Sequence, residues 1–272
     1  MKSFVIALIF IAFSLIHQPI RSQGDVTPET NSYVSFNLAY LKSYAPAFKQ
    51  FVVSPSRFTT NEWVITGFTG AVFTTMYLND KALFQKFNGS SPFANENKME
   101  WTGVFGNGIV ALPSFALMYG FGSMKSLQRP KEAALLGFQA FVLSAGTAFV
   151  MKHISHRPRP DQLYVSNQWD GPFKSFEFDA FPSGHAMRAF AVATVLAGYY
   201  NDMPLLGAGL YGLAALTSYG RLISSSHWPS DVLAGAAIGY LIGRGILYYY
   251  RHPQKGLRIS PTATGIGAVM VF

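Results

Sequence analysis

Long uncharged stretches alternate with short polar connections over most of this chain, beginning near Trp63. The lengths of these stretches, their few prolines and their frequent Ala, Leu and Gly favour helices over strands. They run over 63–79, 101–124, 133–151, 189–201, 203–220 and 232–242, the last continuing past Arg244. The pattern therefore predicts an all-α fold, a bundle of about six apolar helices.

The stretch lengths do not decide between a membrane-embedded bundle and a secreted soluble bundle. A helix needs about 20 consecutive apolar residues to span a bilayer. Only 101–124 and 133–151 reach or approach that length without a charge. Arg188 and Arg244 bound two other stretches early, although long basic side chains near a helix end can reach the interface. Both architectures stay open at this point.

The two ends of the chain differ from its middle. Met1 and Lys2 precede an apolar run, and small or polar residues follow near Ser22, which is the layout of a signal peptide or anchor over 1–22. Residues 23–62 are polar and mixed and include Pro28, Pro46 and Pro55, which predicts an N-terminal arm with one short helix. We expect the bundle domain over 63–250 and a C-terminal tail over 251–272, either a strand or an interfacial segment.

Composition narrows the classes of function. The chain has 272 residues, half of them apolar and 12% charged, which is enough for one domain with a large core. It has no cysteine, which excludes disulfides, a thiol nucleophile and cysteine-based metal sites. The net charge of +8 is not gathered into a basic run interleaved with aromatics, so a nucleic-acid partner is not expected.

Several basic residues flank the apolar stretches, and their placement predicts sidedness. They are Lys125, Arg129, Lys131, Arg251, Lys255 and Arg258. If these residues mark the cytoplasmic side, the connection after residue 151 faces outward. A secreted soluble bundle would also place its site outside the cytoplasm, so we expect an envelope location in either case.

Three short segments contain cationic and imidazole groups suited to phosphate ester chemistry. They are Lys152-x6-Arg159-Pro160, Pro182-Ser183-Gly184-His185 and Arg221-x5-His227-x3-Asp231. A phosphoryl group needs fixed cations on its oxygens, a nucleophile on one side and a proton donor on the other. Read alone, each segment has a simpler explanation as a basic, capped or acidic helix end. Their conjunction indicates a phosphate site.

The residues of each segment suggest a role for it in the site. Prolines on both sides of Arg159 place it on a stiff loop after the helix that ends near Lys152. Ser183 is a good N-cap for the next helix, and the Gly184 amide forms part of an anion site at its start. The i, i+4 spacing of His227 and Asp231 predicts that the carboxylate accepts the Nδ1–H of the histidine and leaves Nε2 free.

The order and spacing of these segments resemble the type-2 phosphatidic acid phosphatase family, which includes class A acid phosphatases and vanadium haloperoxidases. The family pattern is K-x6-RP, PSGH and SR-x5-H-x3-D, and Gly220 stands where the pattern has its serine. The resemblance covers roughly residues 63–250. It implies an acid phosphatase/haloperoxidase-like helical bundle.

The resemblance also implies roles for individual residues. Lys152, Arg159, Ser183, Gly184 and Arg221 would bind the phosphate oxygens. His227 would attack phosphorus, Asp231 would orient it, and His185 would protonate the leaving group and later activate water. Arg188, three residues beyond His185, is a possible contact to a second phosphate or a lipid headgroup. No metal ion and no other cofactor is expected.

These features predict an envelope phosphatase acting on phosphate monoesters or pyrophosphates, carried on a lipid or on a small soluble ester. A membrane partner is expected, and the sequence does not predict an oligomeric state. One alternative is a haloperoxidase that uses vanadate as its cofactor. A second is a non-catalytic phospholipid-binding membrane protein, which the presence of nucleophile, orienting acid and proton donor disfavours.

Overall fold

The computed structural model describes residues 34–90, 100–162, 165–172, 178–252, 256–262 and 265–271, so the predicted signal or anchor over 1–22 lies outside the described part. Ten α-helices occur in this part. They are α1 Leu38–Lys42, α2 Tyr44–Val52, α3 Thr60–Leu78, α4 Asp80–Ser90, α5 Val104–Asn107, α6 Ala111–Met124, α7 Gln128–Ser155, α8 Gly184–Tyr199, α9 Pro204–Ile223 and α10 Pro229–Arg251. Short 3-10 turns cover Ser54–Arg57 and Glu100–Gly103.

Helix α8 lies at the centre of the bundle and contacts α7, α9 and α10. The main core cluster combines side chains of α2, α7, α8 and α10. Its buried members are Ala47, Leu136, Ala140, Ala148, Met187, Ala191, Val195, Ile242 and Ile246. Small side chains are frequent among them, so the helix axes approach closely. The all-α bundle predicted from the apolar stretches is confirmed.

Glycines of α10 allow this helix to cross α8 at a short distance. Gly235, Gly239 and Gly243 lie four residues apart on one side of α10. A Cβ on Gly235 would collide with the main-chain oxygen of Ser183, and one on Gly239 with that of Met187. The backbones of α8 and α10 are therefore in direct contact, as in other small-residue helix crossings. This contact fixes the start of α10 against the start of α8.

The predicted stretch 101–124 is not one helix. It divides into the 3-10 turn Glu100–Gly103, the single turn α5 and the helix α6. Gly108 ends α5 with a φ of 95°, a left-handed conformation that glycine adopts without a steric penalty. The break places α5 against α8 rather than along the surface.

The N-terminal arm contains two short helices, α1 and α2, where one was predicted. It packs on the bundle: Ala47 is fully buried in the core cluster, and the Tyr40 hydroxyl donates to the Leu135 carbonyl at 2.9 Å. Helix α3 begins with a capping box in which Thr59 N donates to the Glu62 carboxylate at 2.8 Å. The predicted domain boundary at residue 62 stays a prediction.

The chain leaves the bundle through an antiparallel hairpin. Strand β1, Gly256–Thr262, pairs with β2, Gly265–Val271, with Gly256 opposite Val271. These are the strands found in the described part of the chain. Of the two structures expected for the C-terminal tail, the hairpin corresponds to the strand.

Two of the described helices, α7 and α10, are long and apolar enough to cross a membrane. At least half of the most apolar 18-residue segment of each helix is buried inside the bundle. The core helix of a large soluble protein can have the same length and apolar composition. Other large apolar side chains lie on the surface, including Leu117, which is 74% exposed, and Leu205, which is 87% exposed.

Candidate active site

One cavity of about 370 Å³ lies at the end of the bundle where α7 and α9 end and α8 and α10 begin. Seven of the nine residues predicted to form the site line it. They are Lys152, Arg159, Gly184, His185, Arg188, Arg221 and His227. The structure therefore brings together three segments that are widely separated in sequence. Ser183 and Asp231 lie directly beside these residues but do not line the cavity.

Lys152 and Arg159 share one acidic partner. Asp179 accepts from Lys152 Nζ at 3.0 Å, and its two oxygens accept from Arg159 Nε at 2.6 Å and Nη2 at 2.9 Å. Burial alone would raise the pKa of Asp179, but the hydrogen bonds and charges of Arg159 and Lys152 lower it below its usual value. The carboxylate is therefore ionised and lies in the cavity among the cations.

The start of α8 presents donors to the cavity. Its first-turn amide groups have no helical partner, and they include those of Gly184 and His185. Ser183 does not cap the helix with its side chain as predicted; its main-chain N–H donates to the Asp231 carbonyl at 3.0 Å. The Ser183 Oγ is fully buried and has no hydrogen-bond partner among the described residues.

The segment before α6 supports the cations of α8 and α9. Arg221, in the last turn of α9, packs its guanidinium so closely on Gly103 that a Cβ there would lie 2.7 Å from Nη2. Arg188 Nε donates to the Gly106 carbonyl. A Cβ at Gly106 would lie 2.8 Å from the His185 carbonyl oxygen. The glycines therefore let this segment form the wall against which Arg188 and Arg221 are held.

The imidazole of His227 is buried and has a defined tautomer. Its Nδ1 lies 2.7 Å from the Ala180 carbonyl, which can only accept, so Nδ1 carries the proton and Nε2 keeps its lone pair. Burial, followed by the charges of Lys152 and Arg159, lowers the pKa of His227 well below its usual value. A neutral imidazole with a free Nε2 is the form needed for a nucleophile.

The predicted hydrogen bond between Asp231 and His227 is wrong. One carboxylate oxygen of Asp231 accepts the Trp228 N–H at 2.9 Å, and the other accepts from Arg157 Nη1. Asp231 is the third residue of α10, so its side chain folds back onto the amide that precedes the helix, as in a capping box. It holds the loop before α10, and its hydrogen bonds go to Trp228 and Arg157 instead of His227.

Arg157 was not predicted as part of the site, yet it is fully buried beside it. Its Nη2 donates to Asp80 at 2.6 Å, and its Nη1 donates to Asp231 and, at 2.9 Å, to Ser230 Oγ. Ser230 also donates its N–H to Asp80 at 2.9 Å. This network joins α4, the loop after α7 and the start of α10.

His185 is neutral in the absence of an anion. Burial and then the positive charges of Arg221 and Arg188 lower its pKa to about 3. A phosphate dianion in the cavity would offset those charges and favour the protonated ring. The arrangement can therefore couple the arrival of a dianion to protonation of His185, which is what a proton donor to a leaving oxygen requires.

Sequence reasoning missed Asp179, Arg157, Asp80 and the two glycines of the 100–107 segment. Arg157 had a readable signal, because it is a second arginine beside Pro158, two residues before the predicted ligand. Asp179 is one of several charged residues in an aromatic-rich connection, and nothing in the sequence distinguishes it from the others. Asp80 and the glycines carry no local signal, since only the packing of distant helices gives them a place at the site.

Comparison with known proteins agrees with this geometry. The family model described as PAP2 superfamily matches residues 133–255, the part that supplies all three segments. A lipid A 1-phosphatase of Porphyromonas gingivalis is 26% identical over 250 residues, which are 89% of this chain and 49% of that protein. A decaprenylphosphoryl-5-phosphoribose phosphatase of Mycobacterium tuberculosis is 31% identical over 122 residues, 45% of this chain and 63% of that protein.

The chain thus spans about half the length of the first relative and less than two thirds of the second. Among solved structures, that of Aquifex aeolicus LpxE superposes with a TM-score of 0.50 at 26% identity, and the match covers 62% of this chain and 94% of that one. The match of the PAP2 superfamily model to residues 133–255 confirms the resemblance predicted from the three segments.

Proposed function

We propose that this protein is a metal-independent phosphatase that hydrolyses phosphate monoesters or pyrophosphates carried on lipids, through a phosphohistidine intermediate. The observation that carries the proposal is the cavity itself. It gathers four basic side chains around the free Nε2 of His227, with His185 as a second imidazole. Binding of an anion would need the cations alone, whereas a neutral imidazole of fixed tautomer has a use in covalent chemistry.

The first half of the reaction follows from the residues present. Lys152, Arg159 and Arg221 hold the phosphoryl oxygens, together with the amides at the start of α8. The Nε2 lone pair of His227 forms a bond to phosphorus while the bond from phosphorus to the ester oxygen breaks. His185 gives its proton to that oxygen, so an alcohol leaves and the phosphoryl group stays on His227.

The second half returns the enzyme to its starting state. His185, now neutral, takes a proton from a water molecule as the water oxygen attacks phosphorus. The bond between phosphorus and Nε2 breaks, and inorganic phosphate is released. The Ala180 carbonyl keeps the Nδ1 proton of His227 in place throughout, so the same nitrogen is available for the next cycle.

Two observations support a lipid substrate. The cavity is apolar on one side, where Ala145, Ala148 and Phe149 line it. Phe149 is also 61% exposed, and Val150 and Ile154 beside it are more than half exposed, so the cavity continues into an apolar face of α7. The two relatives named above carry phosphatase names with lipid substrates. An acyl or prenyl chain could lie along α7 while its phosphate occupies the cavity.

Phosphate release by the purified full chain in detergent tests the proposal. The substrates are lipid A, a prenyl phosphate, phosphatidic acid and p-nitrophenyl phosphate, each with and without EDTA. We expect turnover of at least one lipid phosphate, unchanged by EDTA, and a loss of at least about 1,000-fold in His227→Gln, which removes the nucleophile. The control His153→Gln alters a nearby histidine outside the cavity and should stay within about twofold of wild type.

The intermediate has its own signature. A phosphorus-labelled protein trapped during turnover should be stable in alkali and labile in acid, as expected for a bond between phosphorus and nitrogen, and His227→Gln should give no label. Retained activity in His227→Gln would refute the assigned nucleophile. Bromide oxidation that requires added vanadate, without phosphate release, would favour the haloperoxidase alternative.

A further inference from the structure

The most unusual group in the cavity is the carboxylate of Asp179. A site that binds a phosphate dianion gains from every cation it presents, and an ionised carboxylate among them opposes that gain. Asp179 nevertheless takes three hydrogen bonds from Lys152 and Arg159, the two cations of the first segment. The molecule therefore holds an anion of its own in the site.

The geometry of these contacts is that of a bound phosphate. The two carboxylate oxygens meet Arg159 side by side through Nε and Nη2, and one of them also meets Lys152 Nζ. A phosphoryl group binds in the same way, with two oxygens on one edge of a guanidinium group and an ammonium group beside them. A phosphate dianion that uses this edge of Arg159 must therefore displace the Asp179 carboxylate from it.

Asp179 cannot leave the site when phosphate arrives, because its neighbour Ala180 is fixed on both sides. The Ala180 N–H donates to the Arg157 carbonyl at 2.9 Å, and the Ala180 carbonyl accepts from His227. Only the side chain of Asp179 can turn away. Its negative charge then remains within a few ångströms of the phosphate and repels it.

We propose that Asp179 is the internal counter-anion of the phosphate site: it positions Lys152 and Arg159 between turnovers and weakens the binding of inorganic phosphate, so that product leaves. The inference rests on the proposed function, in which phosphate is the product. It concerns product affinity and does not make Asp179 a catalytic residue. Without the carboxylate, the cations and the start of α8 would hold the product dianion more tightly.

Direct binding of inorganic phosphate to the purified full chain tests this inference without any turnover. Isothermal titration calorimetry compares wild type with Asp179→Asn, which keeps the shape, and Asp179→Ser, which does not. We expect both to bind phosphate at least about tenfold more tightly, because a repelling charge is lost. The matched control Asp161→Asn removes an exposed carboxylate two residues from Arg159 and should change the Kd by less than about twofold.

A double-mutant cycle identifies the contact responsible. In an Arg159→Gln background, Asp179→Asn should tighten phosphate binding much less, because the contested donor is gone. In steady-state assays with a lipid phosphate, Asp179→Asn should lower both kcat and KM, and added phosphate should inhibit it more strongly. A merely structural role would lower the melting temperature without tightening phosphate binding.

The outcomes separate the two proposals. Wild type that binds phosphate but hydrolyses no ester would contradict the phosphatase and the release of product, whereas tighter phosphate binding by Asp179→Asn would still support the counter-anion. Unchanged or weaker phosphate binding in Asp179→Asn and Asp179→Ser would overturn the counter-anion. So would phosphate binding that is undetectable in wild type and in both variants.

Discussion

At the residue scale, Arg157 holds the structure of the site together through two buried ion pairs. It is fully buried, as are the carboxylates of Asp80 and Asp231 that share its guanidinium. The rings of Tyr77, Trp169 and Trp228 surround it, the nearest centroid at 5.0 Å. A buried ion pair contributes little when intact, but removing one partner leaves an uncompensated charge.

Replacing Arg157 should therefore act mainly by destabilising the fold and not by changing a chemical step directly. We expect Arg157→Met to lower the free energy of unfolding by roughly 3–5 kcal/mol, because two buried carboxylates lose their partner. Denaturant unfolding in detergent, followed by circular dichroism, measures this loss.

The matched control is Arg129→Met. Arg129 pairs with Asp202 at the opposite end of the bundle, where both side chains are about half exposed. An ion pair this exposed contributes little to stability, so the control should remain near wild type. Equal losses in the two variants would contradict the role assigned to Arg157.

The sequence predicted the members of the site better than it predicted their contacts. Residues such as Lys152, His185 and His227 could be named because their chemistry and spacing are visible in the chain. The partner of His227 could not be named, because a main-chain carbonyl at residue 180 has no signature in side-chain identity. Asp231 was assigned to the histidine on helical spacing, but the buried Arg157 and the Trp228 amide satisfy its oxygens instead.

At the element scale, the crossing of α8 and α10 determines how the second and third segments meet. Gly235 faces the Ser183 carbonyl, and Gly239 faces that of Met187. The Ser183 N–H in turn donates to the Asp231 carbonyl at 3.0 Å. A shift of α10 away from α8 would therefore move His227 and Asp231 away from the start of α8.

A methyl group at this crossing should destabilise the bundle. Gly239→Ala must push α10 from α8, since the added Cβ meets backbone that cannot turn aside. We expect a loss of about 2–4 kcal/mol in unfolding free energy, typical of an overpacked core. Activity should fall with it, because the helix starts that carry His185 and His227 separate.

The control for Gly239 is another helical glycine. Gly209 is exposed within α9, and a Cβ there would have no atom within 4 Å. Gly209→Ala should leave activity unchanged and stabilise the helix by up to about 1 kcal/mol through helix propensity. A destabilisation by Gly209→Ala as large as that by Gly239→Ala would argue against backbone contact as the cause.

The helices themselves followed from apolar patterning, but their ends and breaks did not. Helix α7 runs beyond its apolar stretch at both ends, because polar residues continue a helix wherever its backbone bonds are satisfied. Helix α4 was missed because its 11 residues are mostly polar. The break at Gly108 depends on how α5 packs against α8, which periodicity does not report.

At the scale of the whole molecule, the cavity lies at one end of the bundle, and Lys125, Arg129 and Arg251 lie at the other. Helix α7 has 28 residues, a rise of about 42 Å, with Lys125 before its start and Lys152 lining the cavity near its end. Arg251 ends α10 and donates to the Gly198 carbonyl near the end of α8 at 2.6 Å. If the bundle crosses a membrane, this distribution favours a cavity on the side away from the cytoplasm.

Cysteine labelling can test that orientation cleanly, because the chain has no cysteine of its own. We expect Asp161→Cys, in the exposed loop beside the cavity, to react with a membrane-impermeant maleimide in intact spheroplasts. Lys125→Cys, exposed at the other end, should react only after permeabilisation. The reverse pattern would contradict the proposed orientation, and equal labelling of both in intact spheroplasts would contradict a crossing between them.

The Ala180 carbonyl opposite His227 has one further consequence for the proposed mechanism. A carboxylate at that place would neutralise the ring as phosphorus adds to it, whereas an amide dipole offsets only part of the new charge. The phosphorylated ring therefore stays close to a full cation, and a cationic ring departs readily from phosphorus. The covalent species should be brief, and the slow chemical step should be its formation.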